Sequence, residues 1–447
     1  MTSARPSPAS PILFLPSTIP DVRAWPRGGL WRHPDFLRLW SAQTISQFGS
    51  QVSQLALPLA AILVLDASAF EVAFLGTVEF LPFLLFALPA GVWVDRLRRK
   101  PILVLGDLGR AVALGSIPLT YAFDALTMWQ LYAVGFVVGV CTVFFDVAYQ
   151  SYLPSLVERE SLVEGNSKLE ISRSGAQLAG PGLAGALIGA ITAPYAILLD
   201  AVSFIGSAVL VFRIRRPEVV PEPTAKPSMR RELMEGLRYL LGHRFWRPIA
   251  ITVAVSNFFN TLAFSIFLVY AVRELELSAQ VIGIVFAIGN LGWLAGAVAA
   301  GRLSQRLGIG RTLVGSALLF GPSLLLVPAA PESEPIPFLV AALVLGTFGG
   351  IVFNVTGISF QQAVTPDRML GRLNASRRFI VWGVIPLGSL TGGALASLVG
   401  LRETLWIGTI AGSFAFLPLL FSPVRSIGRI DDAIREHAPV AAAMTDA

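Results

Sequence analysis

Four carboxylic acids stand inside stretches that are otherwise almost wholly apolar: Glu79, Asp107, Asp146 and Asp200. An ionisable group in such a setting is costly, so each needs a partner, a proton or a function. The run around Glu79 extends from Phe70 to Ala90 with only Glu71 and Thr77 as further polar residues. Nine residues at 1.5 Å each put Glu79 roughly 14 Å from the start of that run, half-way through it. A carboxyl at that depth is least costly when protonated, which suits a group that takes up and releases a proton. Glu79 is the leading candidate for that chemistry, and Asp146 the second. Asp107 and Arg110 are three apart, share a helical face and are expected to pair. Asp200 falls near the start of its run, where a helix N-terminus favours an anion, and is expected to be structural.

Amides form the second group. Gln43, Gln47, Gln51 and Gln54 follow one another at spacings of four, four and three, which makes one stripe on a helix. Facing lipid they would be unsatisfied, so the stripe must meet a cavity or another helix. Asn257, Asn260 and Asn354 stand in later apolar runs, and Phe145 and Tyr149 lie close to Asp146. An apolar site with a few amide handles fits an amphiphilic organic molecule. Nothing points to an enzyme. There is no Gly-x-Ser-x-Gly, no His-Glu-x-x-His and no glycine-rich phosphate loop ending in lysine. His33, His243 and His437 all fall outside the apolar runs, and Cys141 is the one cysteine, so neither a metal site nor an internal disulfide is expected. No cofactor is expected either.

These residues need apolar helices to position them, and the chain supplies many. It is 54% hydrophobic and 14% charged over 447 residues, against about 25% charged in soluble domains. Its apolar runs are mostly about 20 residues long, enough to cross a bilayer. Twelve are expected: six within residues 36–212 and six within 248–421. Residues 1–35 and 422–447 are read as cytoplasmic tails. Residues 213–247 form a basic, proline-containing linker whose second part, Met229 to Leu241, is amphipathic. Its face of Leu233, Leu237, Leu240 and Leu241 is expected to lie on the membrane surface. The net charge of +6 does not indicate nucleic acid, because the bases concentrate in short loops on one side. Arg273 and Arg402 fall in loops on the other side, and Arg110 inside a run. That asymmetry sets the orientation, with both termini in the cytoplasm.

Residue types recur across the two halves. Ser68-Ala69 matches Ser278-Ala279 and Gly91 matches Gly301, both at an offset of 210. Asn166, Gly175, Gly180 and Gly185 match Asn374, Gly383, Gly388 and Gly393 at an offset of 208. Parallel repeats of this kind build many transporters.

The turn Gly91-Val-Trp-Val-Asp95-Arg96-Leu-Arg-Arg99-Lys100 resembles the loop between the second and third helices of major facilitator superfamily transporters, with Arg98 where a second glycine is common. The resemblance implies that Gly91, Asp95, Arg96 and Arg99, joined by Asp107 and Arg110, act as a cytoplasmic latch between halves. It also implies that the first, fourth, seventh and tenth helices line a central cavity. Gly175-x4-Gly180-Pro181-x3-Gly185 is similar to the Gly-Pro motif of exporters in that superfamily. Phe144-Phe-Asp146-Val-Ala-Tyr149-Gln-Ser-Tyr-Leu-Pro154 resembles the branch that contains macrolide efflux pumps and the enterobactin exporter. The fold expected is therefore an all-α polytopic membrane protein of twelve helices in two pseudo-symmetric six-helix bundles. The function expected is proton-coupled export of an amphiphilic small molecule by a monomer in the inner membrane. Uptake or facilitated diffusion of a small metabolite is the alternative.

Overall fold

The structure is a computed structural model that describes residues 29–94, 96–218 and 229–429. Asp95, most of the two tails and the proline-rich part of the linker lie outside the described residues. Every regular element among the described residues is a helix. In chain order these are α1 (Pro34–Leu63), α2 (Ala69–Val94), α3 (Arg99–Ala122), α4 (Met128–Leu156), α5 (Leu162–Ile191), α6 (Ala193–Phe212), α7 (Met229–Gly242), α8 (Trp246–Arg273), α9 (Ala279–Leu307), α10 (Ile309–Ser323), α11 (Pro335–Val364), α12 (Asp367–Val399), α13 (Leu401–Ser413) and α14 (Leu417–Leu420).

Ten helical segments are long and apolar enough to cross a membrane: α2, α3, α4, α6, α8, α9, α10 with a following 3-10 turn, α11, α12, and α13 continued by α14. α1 and α5 are 30 residues each. Neither meets the same apolarity, because α1 carries the glutamine stripe and α5 carries Lys168, Glu170 and Arg173 in its first turns. Several helices outrun the apolar runs that mark them. α12 starts at Asp367, eleven residues before the expected span at 378, since helical hydrogen bonding continues where hydropathy stops.

The two halves are built alike at the level of single atoms. α1 and α8 end in the same closure: Ala67 N–H donates to Ala61 O and Leu277 N–H to Ala271 O, each at 2.9 Å. The residues between include a left-handed one in each half, Asp66 at φ 48° and Glu276 at φ 50°, which turns the chain back on the helix end. Ser68 and Ser278 then cap α2 and α9, accepting from Glu71 N–H and Val281 N–H. All these pairs are offset by 210.

Between the halves, α5 packs on α9 and α2 on α12. Both contacts are glycine-mediated and equivalent. A Cβ on Gly185 would stand 3.0 Å from Gly283 Cα, and a Cβ on Gly393 would stand 2.6 Å from Ala73 Cβ. Small residues let the backbones approach this closely. Ser389 Oγ also donates to Ala73 O (2.6 Å), and Arg273 bridges to Asp66 and to Ala67 O. These contacts all lie at the end remote from the Arg96–Lys100 turn. Towards that basic end the equivalent glycines separate. Gly91, Gly301, Gly175 and Gly383 have nothing within 4 Å of where a Cβ would stand. The molecule is closed at the far end and open at the basic end.

α7 corrects one expectation. Rather than resting its whole apolar face on a membrane surface, it docks on α12 and α8. Leu240 is buried, while Met234 and Leu241 remain exposed. Glu235 receives a hydrogen bond from Arg372 (2.6 Å).

Gly283→Leu and Gly393→Leu are each expected to lower the melting temperature of the purified protein, with a cost of about 1–3 kcal/mol for overpacking. Gly301→Ala, at the open end, is expected to stay within about 0.5 kcal/mol of the parent. Thermal unfolding in detergent measures both.

Candidate functional site

The opening leads into three voids that share walls. One of about 380 Å³ reaches Leu240 of α7 and is walled by Asn257, Phe320, Asn354, Arg377, Arg378 and Trp382, among others. A second, of about 290 Å³, shares Phe320 and Asn354 with it and adds Asn260, Phe264 and Trp293. Phe264 and Trp293 pass on to the third, of about 610 Å³, where Gln51 and Gln54 of α1 face α5, α8, α9 and α11. Amides therefore recur along a mainly aromatic and aliphatic passage. Five of the expected cavity residues stand in its walls: Gln51, Gln54, Asn257, Asn260 and Asn354.

The other four stand elsewhere. Gln43 is 5% exposed within the first half, and its amide nitrogen has no partner among the described residues. Gln47 is half-buried and lines none of the three voids. Phe145 is 3% exposed and packs on the Arg110 guanidinium, 4.2 Å from its ring centroid, with Phe204 at 4.1 Å on another side. Tyr149 stacks on Phe145. The sequence spacing brought these rings near a polar group, but their contacts place them in core packing.

The acids divide into two kinds. Asp107 pairs with Arg110 and accepts from Ser207 Oγ of α6 (2.7 Å). Asp200 accepts from Ser53 of α1 and from Ser203, and Gly49 leaves the room it occupies. Both are satisfied inside the first half. Glu79 is different: its Oε1 is buried with no hydrogen-bond partner among the described residues. Its side chain lies over Gly135 of α4, where a Cβ would stand 2.9 Å from Glu79 Cγ. Asp146 is exposed, and no ion pair holds it among the described residues.

Among the described residues of the basic turn, Arg96, Arg99 and Lys100 make no bond to the second half. Arg96 is exposed. Arg99 N–H and Lys100 N–H donate to the Glu218 carboxylate, which caps α3. Lys100 Nζ donates to Ile214 O, and Asp35 accepts from Arg215 and Arg216 N–H. These bonds, like the Asp107–Arg110 pair, tie the first half to itself.

The helix-5 motif has a definite geometry. Gly180 makes room for Gln51, 2.5 Å from where its Cβ would stand, and Gly185 makes the far-end contact with α9. Pro181 has no N–H, so the carbonyl four residues earlier, Gln177 O, loses its helical donor. Asn290 of α9 supplies one at 2.6 Å, across the interface between halves. Sequence reading missed Asn290, although a proline inside an apolar helix signals a carbonyl in need of a neighbour. It also missed Arg377 and Arg378, which counted with a basic loop but stand inside α12.

A family model described as transmembrane secretion effector matches residues 30–445. Macrolide efflux protein A of Streptococcus pyogenes is 22% identical, covering 88% of this chain and 97% of its own length. The enterobactin exporter EntS of Citrobacter koseri is 24% identical over 82% of this chain and 85% of its own. Among solved structures, a bacterial homologue of the iron transporter ferroportin matches at 18% identity over 88% of this chain and 98% of that one. Its TM-score is 0.67 in the inward-facing state and 0.54 in the outward-facing state.

Asn290→Leu is expected to leave Gln177 O without a donor and to cost about 0.6–1.7 kcal/mol, the range for interhelical bonds in membranes. The loss should disappear on a Pro181→Ala background, where the helix can donate for itself. A double-mutant cycle of melting temperatures reads this coupling.

Proposed function

We propose, for a chain that belongs to the transmembrane secretion effectors of the major facilitator superfamily, that it exports an amphiphilic small molecule in exchange for protons. The observation that carries this reading is the amide-bearing apolar passage, open at one end and closed at the other by glycine contacts between two like halves. Such a molecule can expose one site to either side by rocking the halves. The basic end is read as cytoplasmic, since arginine-rich loops resist translocation. α1 and α5 are read as two further spans, which brings the ten to twelve. Residues 36–212 and 248–421 are then the two bundles, in the plasma membrane, with both termini inside. The stronger likeness to an inward-facing homologue supports the assignment of the open end.

Glu79 is the coupling residue in this scheme. It sits on α2, and the next residues on that helix, Phe80 and Phe83, meet Trp382 of α12 edge-on at 6.1 and 5.8 Å. Trp382 is a wall of the passage. A proton arriving from the far side neutralises a carboxyl whose buried Oε1 has no partner among the described residues. The change in charge biases the balance between the two open forms. Asp146, exposed at the same half, is the second proton site. The relatives named for macrolide and enterobactin efflux support the export direction.

The test uses protein in vesicles with an imposed pH gradient and a set of dansyl-labelled amphiphiles. Wild type should move at least one of them uphill. Glu79→Gln should slow gradient-driven movement by roughly tenfold or more, about 1.4 kcal/mol of barrier, while probe exchange at equal pH continues. Undiminished gradient-driven transport by Glu79→Gln would remove that residue from coupling.

A further inference from the structure

The void nearest the open end has arginine and amide side chains in its wall, with no acid among the described residues. Arg377 and Arg378 both line it, side by side on α12. Five residues earlier on the same helix, Arg372 has an acid partner in Glu235 at 2.6 Å. Arg377 and Arg378 have none among the described residues; the Arg378 guanidinium only approaches the Trp382 ring, at 5.7 Å. A guanidinium can only donate hydrogen bonds. Asn257 and Asn354 add amide groups on the same void.

Two guanidinium groups repel each other, so their placement together in a partly enclosed void needs a reason. Orientation by positive charge alone would be served as well by arginines in the loops. A cationic ligand would meet repulsion here and would find no carboxylate among the described residues of the wall. An anionic ligand would satisfy the guanidinium groups by charge-assisted hydrogen bonds. Beyond the arginines the walls are Phe320, Phe353 and Trp382, suited to an apolar or aromatic body.

We propose that Arg377 and Arg378 form the head-group subsite of the exporter, and that its substrates are organic anions, a carboxylate or similar acidic group on an apolar body. The inference rests on the export reading and narrows its substrate class. The head group sits between the arginines at the open end, with Asn257 and Asn354 beside it. The body extends along the aromatic walls towards Phe264 and Trp293.

Two probes that share one body test this: N-dansylglycine, which carries a carboxylate, and its neutral methylamide. Trp246 and Trp382 line the void, so tryptophan-to-dansyl energy transfer reports binding to the full-length protein in phosphatidylcholine nanodiscs. The carboxylate is expected to bind about tenfold more tightly than the amide, as one charge-assisted hydrogen bond supplies. The ratio should fall close to one in Arg377→Gln/Arg378→Gln and recover in part in Arg377→Lys/Arg378→Lys. Equal binding of the two probes to the wild type overturns the proposal without any variant, as does a preference that survives the double glutamine change. A lipid phosphate is the other source of the same chemistry. If the preference vanishes when phosphatidylglycerol is included in the nanodiscs, the arginines hold lipid and the proposal fails; if it persists, the subsite stands. Gradient-driven export of the neutral amide with no carboxylate preference would sink this inference and leave the export reading intact. A clear preference with no transport of either probe would do the reverse.

Discussion

A polar group inside a bilayer has no water to turn to, and most of the placements in this structure follow from that. Asp107 is answered by Arg110 and Ser207, Asp200 by Ser53 and Ser203, and the carbonyl orphaned by Pro181 by Asn290. The bonds from Ser207, Ser53 and Asn290 each join two helices that sequence alone would leave independent. The last of them joins the two halves. Among the groups left unanswered by the described residues, Glu79 lies on the α2–α12 pair that borders the passage and Arg377 lines it, whereas the Gln43 amide nitrogen lies away from it.

The halves share a backbone plan but have diverged in chemistry. The first holds Asp107 and Asp200 by internal bonds and retains Glu79 on α2, whose Oε1 is buried with no partner among the described residues. The second holds the amides Asn257, Asn260 and Asn354, two arginines with no acid partner among the described residues and most of the aromatic walls. On the proposed reading, proton chemistry belongs to the first half and ligand chemistry to the second. The α2–α12 contact, with Phe80 and Phe83 against Trp382, stands between them.

The far-end closure explains why the motif glycines fall into two sets. Gly185 and Gly393 are equivalent positions of the two halves, pressed against the start of α9 and the start of α2 of the other half. Gly91, Gly301, Gly175 and Gly383 face open space. In a rocking mechanism the second set would become the contact when the opening changes ends. The close approach of backbones needs small residues at both ends, although a single conformation uses only one.

The sequence by itself determined that the chain is helical, membrane-embedded and duplicated. Run length, hydropathy and the 210 offset are local or pairwise properties of residues, and so are caps such as Ser68 and Ser278. It also marked Glu79, the glutamine stripe and the Gly-Pro motif as residues that need an explanation. Which face of a helix meets which neighbour was decided only by tertiary packing. The glutamine stripe divides accordingly, Gln51 and Gln54 reaching the passage while Gln43 and Gln47 stay away from it. Phe145 turned out to cover Arg110 because α3, α4 and α6 meet there. Arg377 and Arg378 looked like loop charges because hydropathy marks where lipid begins, whereas helical hydrogen bonding carries α12 well past that point. Helix periodicity tells which residues share a side; only the contacts of all the helices together tell what that side faces.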